Sequence, residues 1–216
     1  MKTVAIICQK GGVGKTTLAT ALAVAAQRDG KTAAVFDIDP QASAAFWRDM
    51  RTAEAPAVVS VQPVRLGHML KAAAEAGTDL VVVDVPPIAK DTAFQAAEHA
   101  DFILIPTKPA VLDVMAATET FKLVKRATEP PRPSAVVVTF CPTQGREVPD
   151  TEEAIVKLGA RLAPVRIHTR IAYSRAQQKG LAAMELEPNG KAADELKRLY
   201  EFVCMNLYAP AQEAAE

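Results

Sequence analysis

The sequence has 216 residues, 50% of them hydrophobic and 23% charged, a composition typical of a globular protein with one core. Its 25 basic and 25 acidic side chains give a formal net charge of zero, so any nucleic-acid binding must come from a local patch. The three cysteines lack metal or redox spacing, and no apolar run is long enough for a membrane span. We therefore expect a reduced, cytoplasmic protein without a signal peptide.

Short apolar runs alternate with helical patterns along most of the chain. The runs are continuous rather than alternating, which indicates parallel strands buried on both faces, at residues 3–8, 32–37, 79–84, 101–106 and 134–140. The intervening patterns predict helices at residues 15–28, 42–50, 66–76, 92–99, 111–126 and 191–207. This order predicts a single α/β domain, residues 1–208, with a mostly parallel twisted sheet flanked by helices on both faces. We expect residues 209–216 to form a frayed tail.

The stretch QKGGVGKTT, residues 9–17, lies between the first predicted strand and the first predicted helix. Its glycines allow successive backbone N–H groups to wrap an anion, and the helix adds its positive dipole end. These features are typical of a phosphate-binding P-loop, although Gln9 replaces the usual first glycine and an additional lysine precedes the expected one. The alternative is a glycine-rich turn without a ligand. We predict nucleotide contacts from Lys10, Gly11, Gly12, Val13, Gly14, Lys15, Thr16 and Thr17.

Acidic side chains end two other predicted strands, at Asp84 in VVVDVPP and at Asp37 and Asp39 in FDIDPQ. A carboxylate at the position of Asp84, at the end of an apolar strand, is typical of a Walker-B magnesium site. Successive residues of an extended strand face opposite ways, and Asp39 lies beyond the end of the strand that Asp37 closes. We therefore expect Asp37 and Asp39 to have different roles. We predict Mg²⁺ ligands at Thr16, Asp37 and Asp84, and expect Asp39 to orient the attacking water. The alternative is that Asp37 and Asp39 only cap the turn before a helix.

The motifs KGGVGKTT, FDIDPQ, VVVDVPP and IPTKPAVLDV, in this order and spacing, resemble those of the ParA/MinD family of deviant Walker-A ATPases. The resemblance covers nearly the whole chain and implies a P-loop NTPase fold that uses ATP and Mg²⁺, with Pro106 as a further nucleotide contact. It also implies that Lys10 reaches the partner's phosphates across a nucleotide-sandwiched homodimer, so that Lys10, Lys15 and Asp39 are the catalytic residues. The TKPA segment offers no carboxylate to a guanine base, which also favours ATP.

A basic run lies between residues 154 and 184, where six Lys or Arg side chains occur without any Asp or Glu. Such a run can neutralise DNA phosphates without reading bases, and the alternative is a solvated basic face without a ligand. The resemblance favours non-specific DNA binding, for which we predict Arg166, Arg170, Arg175 and Lys179. Two further cations, Lys157 and Arg161, are expected to be bystanders.

The resemblance implies a small partition or positioning ATPase without an N-terminal helix-turn-helix domain. ATP–Mg²⁺ would drive dimerisation, the dimer would bind nucleoid DNA, and a ParB-like or adaptor protein would stimulate an otherwise weak hydrolysis that releases it. The cargo, whether a plasmid, a chromosome or a protein complex, is left open by the sequence.

Three alternatives stay open: a metabolic ATP-dependent ligase or amidotransferase component, a MinD-like membrane-cycling ATPase, and a regulatory DNA-binding scaffold with little turnover. Membrane binding is not expected, because the tail lacks basic side chains. The apolar stripe Leu196, Leu199, Tyr200 and Val203 of the last helix is expected to face the core.

Overall fold

The computed structural model describes residues 1–87 and 89–208, so the predicted tail at 209–216 lies outside the described residues. Six strands of these described residues form one sheet in which every pairing is parallel. The strands are β1 (Lys2–Ile6), β2 (Ala33–Asp37), β3 (Ala57–Ser60), β4 (Leu80–Asp84), β5 (Phe102–Thr107) and β6 (Ser134–Val138). The predicted α/β fold with a mostly parallel sheet is confirmed.

Helices connect and cover the strands, as parallel pairing requires. They are α1 (Lys15–Arg28), α2 (Ser43–Asp49), α3 (Leu66–Glu75), α4 (Lys90–His99), α5 (Val111–Ala127), α6 (Glu147–Lys157), α7 (Ile171–Gln177), α8 (Ala183–Leu186) and α9 (Lys191–Tyr208). A short 3₁₀ turn, Pro63–Arg65, precedes α3. The predicted helices from α1 to α5 and α9 are found with shifts of one or two residues at some ends.

Two apolar layers enclose the sheet. On one face the core includes side chains from α1, α2, α7, α8 and α9, and on the other face from α3, α4, α5 and α6. The stripe on α9 is buried in the first layer, with Leu196 and Tyr200 at most 6% exposed. Its core-facing orientation is therefore confirmed. None of the described helices combines the length and the apolar character needed to cross a membrane.

The strand order β3-β2-β4-β1-β5-β6 places β1 between β4 and β5. Because the strands are parallel, the segments that follow β1, β2 and β4 leave the same edge of the sheet. The register pairs Ile6 with Asp84 and Asp84 with Asp37 in adjacent strands. The carboxyl edge therefore gathers the glycine-rich loop and the strand-end aspartates, which is where open α/β sheets bind ligands.

Candidate functional site

The glycine-rich loop adopts a backbone that requires its glycines. Gly12 and Gly14 have φ values of 70° and 90°, in the left-handed region that side chains disfavour. Gly14 caps α1, and its carbonyl accepts the N–H of Leu18 at 2.9 Å. The first N–H groups of a helix lack partners within it, so this end can receive an anion.

The two lysines of the loop occupy different environments. Lys15 is only 7% exposed, and its Nζ donates to the carbonyl of Lys10 at 3.0 Å. Burial lowers the pKa of Lys15, while the negative charges of Asp84 and Asp39 oppose the shift. The Lys10 side chain is exposed instead. One lysine is thus held inside the loop, and the other is accessible from outside the subunit.

Thr16 and Asp84 meet beside the loop. The Thr16 hydroxyl donates to Asp84 Oδ2 at 2.7 Å. Asp84 is 1% exposed, and its burial, reinforced by the nearby Asp37 carboxylate, raises its pKa to about 7. A hydroxyl and a carboxylate are hard oxygen donors that suit Mg²⁺, which usually completes its shell with phosphate and water. Within residues 1–87 and 89–208, no cluster of three or more His, Cys, Asp or Glu forms an all-protein metal cage.

Asp37 and Asp39 occupy different positions, as strand alternation predicts. Asp37 is 2% exposed and accepts backbone N–H groups from Asp39, Ala44 and Ala45 at 3.0–3.1 Å. Burial raises the pKa of Asp37 despite these hydrogen bonds. Asp37 therefore caps α2 and orders the segment that leads into it. The contacts of Asp37 fit the alternative that it caps the turn before a helix. Its role as a magnesium ligand stays a prediction.

A cavity of about 890 Å³ opens over the P-loop. Gly11, Gly12, Gly14, Lys15, Thr16 and Thr17 line one side, while Asp39 and Ser43 line another. Asp39 is half-buried there, and its Oδ1 accepts the N–H of Gln41 at 2.9 Å. The predicted phosphate contacts and the predicted water-orienting carboxylate thus share one space. Three other predicted contacts do not line this cavity: Val13 and Pro106, which are buried, and Lys10, which is exposed.

A second cavity, of about 400 Å³, adjoins the first and is mostly apolar. Phe140 and Gly14 line both cavities, and Ile167, Ile171 and Tyr173 line only the second. Phe140 has a φ of 52°, which is uncommon for a residue with a side chain, and its ring would be 3.5 Å from a Cβ on Gly14. An aromatic wall beside a phosphate loop suits a flat heterocycle.

Lys108 is a cation at the loop that sequence reasoning missed. Its Nζ lies 4.7 Å from the ring centroid of Phe140 and 3.7 Å from where a Cβ on Gly12 would stand. Lys108 belongs to the TKPA segment, whose sequence gives no sign that its lysine lies beside the glycine-rich loop. Lys108 follows β5, which pairs directly with β1, so only the order of strands could have revealed that Lys108 lies beside the loop after β1.

Half of the cations in the basic run form ion pairs with acidic residues outside it. Arg166 forms a two-point ion pair with Glu152, both distances being 2.7 Å. Arg170 donates Nε and one terminal nitrogen to Glu195 at 2.9 and 2.6 Å. These pairs raise the pKa of both arginines, so the cations persist but their charges are compensated. Arg166 and Arg170 thus form a paired group, which the local sequence does not reveal.

Arg175 and Lys179 differ from that group. Both are exposed, at α7 and just after it, and neither forms an ion pair with any residue that the structure describes. The helix that carries Arg175 also reaches the nucleotide cavity, because Gln177 Nε2 donates to Thr17 Oγ1 at 2.6 Å. Of the predicted bystanders, Lys157 pairs with Glu153 at 2.6 Å.

The parallel sheet, the left-handed glycines and the helix that starts at Lys15 together define a P-loop nucleotide-binding domain. The model of the CobQ/CobB/MinD/ParA nucleotide binding domain matches residues 4–183. The chain belongs to this family, so the ParA/MinD resemblance is confirmed.

Relatives extend over nearly the full length. The chain is 33% identical over 208 residues to "Maintenance of carboxysome distribution protein A" of Halothiobacillus neapolitanus, covering 91% of this chain and 94% of that protein. It is 26% identical over 203 residues to "Protein ParA" of Rhizobium radiobacter, covering 89% and 90% of the two chains. Homologues of this chain are therefore ParA-type partition and positioning proteins.

Solved structures share the fold. MinD of Pyrococcus horikoshii complexed with Mg-ADP superimposes with a TM-score of 0.78 at 17% identity, covering 94% of this chain and 95% of that one. An ATP complex of Cyanothece McdA gives a TM-score of 0.76 at 21% identity and covers 96% of both chains. At these identities the likeness concerns the fold, and both neighbours hold an adenine nucleotide.

Proposed function

We propose that this protein is an ATP-dependent positioning ATPase that dimerises around ATP–Mg²⁺. The observation that carries the proposal is the division between the two loop lysines. Lys15 is buried and bonded within its own loop, whereas Lys10 is exposed. A nucleotide in one subunit needs only Lys15, so the exposed Lys10 is free to serve a partner's phosphates, as an arginine finger does in trans.

The nucleotide would span the two adjoining cavities. Its phosphates would lie on the P-loop in the larger cavity, and its adenine beside Phe140 in the smaller, apolar one. Thr16 and Asp84 would hold Mg²⁺, which supplies charge neutralisation of the phosphates when bound. Asp39 would orient the attacking water, since its carboxylate is half-buried and lines the same cavity as the P-loop.

DNA would bind without sequence reading through the free cations at α7. Arg175 and Lys179 are the favoured phosphate contacts because both are exposed and uncompensated in the described structure. Arg166 and Arg170 would support that face through their carboxylate pairs. We propose nucleoid association in the ATP state and release after hydrolysis, stimulated by a ParB-like or adaptor partner.

The cargo is proposed from the relatives. The Halothiobacillus neapolitanus relative is named for carboxysome distribution, so cargo of the protein-compartment type is favoured over the plasmid and chromosome cargo that the family resemblance also allows. A metabolic ligase or amidotransferase component is the second candidate, because the family model also includes CobQ and CobB. Turnover stimulated by a small carboxylic acid, instead of by DNA and a partner, would identify that alternative.

The test is binding to a fluorescent duplex of arbitrary sequence, with ADP or ATPγS, at two salt concentrations. We expect salt-sensitive binding with ATPγS, and Arg175→Ala/Lys179→Ala should reduce the slope of log affinity against log salt by roughly 2. The matched control is Lys71→Ala/Arg126→Ala, which removes two exposed cations from helices on the other face of the sheet. If the wild type binds no DNA in either nucleotide state, DNA-based positioning is wrong.

A further inference from the structure

Helix α2 is a wall of the nucleotide cavity. It begins directly after the Asp39 segment, and Asp37 fixes its first turn through Ala44 and Ala45. Ser43 and Trp47 of this helix face the cavity, together with Met50 just after it. A change in the cavity that moves the segment around Asp39 is therefore expected to move α2 with it.

The residues that follow α2 contact both α8 and the connection between α7 and α8. Arg51 is a buried cation, its side chain only 4% exposed, and it donates to both oxygens of Glu185 at 2.9 and 2.7 Å. It also donates to the carbonyl of Gly180 at 2.9 Å and stacks 4.9 Å over the ring of Trp47. Trp47 Nε1 donates in turn to the carbonyl of Leu181 at 3.2 Å.

The backbones of the two segments are closely packed at Gly180. Gly180 has a φ of 63°, and a Cβ there would come within 2.5 Å of the Arg51 nitrogen and 2.7 Å of the Met50 carbonyl carbon. The backbone of the α7–α8 connection thus touches the backbone after α2. Two segments in such contact, joined by a half-buried two-point ion pair, are expected to move together because close-packed interfaces do not deform continuously.

A second contact ties α7 to the phosphate loop itself. Gln177 donates to Thr17 at 2.6 Å from the side of α7 that faces the cavity. Arg175 and Lys179 point to solvent from the same short segment. Residues 175–179, the end of α7 and the two residues after it, therefore carry both a side chain hydrogen-bonded to the P-loop helix and two exposed cations.

We propose that Arg51 is a positioning residue that makes DNA affinity depend on the bound nucleotide, by locking the α7–α8 segment to helix α2 through Glu185 and Gly180. This inference rests on the proposed function and adds the path by which the nucleotide cavity affects the DNA-binding residues. Loss of the γ-phosphate shifts α2, the lock carries the shift to α7, and Arg175 and Lys179 leave the position in which they engage DNA. Coupling of this kind is reciprocal, so DNA must also favour the triphosphate state.

The test measures the ratio of DNA dissociation constants with ADP and with ATPγS. Glu185→Gln is the main variant, because it keeps the shape and an acceptor oxygen while removing the charge that Arg51 pairs with. Gln177→Ala interrupts the second contact. Arg48→Gln is the matched control, since Arg48 lies on the same helix but donates to the adjacent Asp49 and to the Val58 carbonyl of β3 rather than to α8. Thermal unfolding and sedimentation confirm folding and dimerisation for each variant.

We expect the wild-type ratio to be about tenfold or more and the Glu185→Gln ratio to fall below about threefold, with folding and ATPγS-dependent dimerisation retained. Arg48→Gln should keep the wild-type ratio. The inference is overturned if Glu185→Gln keeps that ratio, whatever Gln177→Ala does, or if the ratio is lost only together with dimerisation. A wild-type ratio of one would overturn the proposed function as well, so the two failures are distinguishable.

Discussion

Three lysines near one loop show how environment separates identical side chains. Lys15 is buried, Lys10 is exposed, and Lys108 is half-buried over the Phe140 ring. An aromatic ring neutralises a cation only in part, so the ammonium group of Lys108 can still attract an incoming anion. Because Lys108 Nζ lies beside Gly12, the phosphates of a bound nucleotide would feel its charge.

We therefore expect Lys108→Met to weaken ATPγS binding by about three- to tenfold, since one partly screened charge at this range contributes on the order of 1 kcal/mol. ADP binding should change less, because ADP carries less negative charge. Titration of a fluorescent nucleotide analogue measures both affinities. Lys108→Arg keeps the charge and the ring contact and is the control. Equal losses for ATPγS and ADP would argue against a role at the terminal phosphate.

Glu195 is a buried carboxylate whose protonation should affect stability. It is 5% exposed and accepts hydrogen bonds from the backbone of His168, from Arg170 and from the Tyr173 hydroxyl. Burial alone would raise its pKa, but the bonds from Arg170, Tyr173 and His168 outweigh burial and hold the pKa below its ordinary value of 4.5. A lowered folded-state pKa means that ionised Glu195 stabilises the protein above that ordinary value.

The predicted consequence is a pH-dependent cost of Glu195→Gln. At pH 7 the variant should lose about 2 kcal/mol of unfolding free energy, because hydrogen bonds to a charged group are replaced by weaker ones. The loss should shrink as the pH falls below 4.5 toward the lowered folded-state pKa. Urea denaturation of both proteins at several pH values measures this difference. A cost that stays constant with pH would mean that packing, rather than charge, is responsible.

At the scale of elements, the sequence predicted those whose signal is local. Continuous apolar runs predicted five of the six strands, and strand-end motifs placed the P-loop and Asp84 at one edge. Strand β3 (Ala57–Ser60) was missed because it has only four residues and is partly exposed, so it lacks a buried run. Helix α1 was also predicted from a local pattern, the residues that directly follow the glycine-rich loop.

Pairing between distant elements could not be predicted in this way. The basic run looked uncompensated, yet Glu152 precedes it and Glu195 follows it in sequence, and both contact its arginines. Arg51 and Glu185 are likewise 134 residues apart. Such partners are chosen by how helices pack on the sheet, which a single sequence does not reveal. The division of the basic run into paired and free cations is therefore a property of the tertiary structure.

At the scale of the whole molecule, the exposed position of Lys10 predicts the oligomeric state. Lys10→Ala should leave ATPγS binding within about threefold, because the loop and Lys15 are intact, but the dimer should dissociate at least tenfold more readily. Analytical ultracentrifugation with ATPγS measures this, and Lys71→Ala, an exposed lysine on α3, is the control. If Lys10→Ala dimerises like the wild type while binding nucleotide poorly, Lys10 serves its own subunit. The second lysine would then be a contact in cis, and ATP would need another route to join two copies.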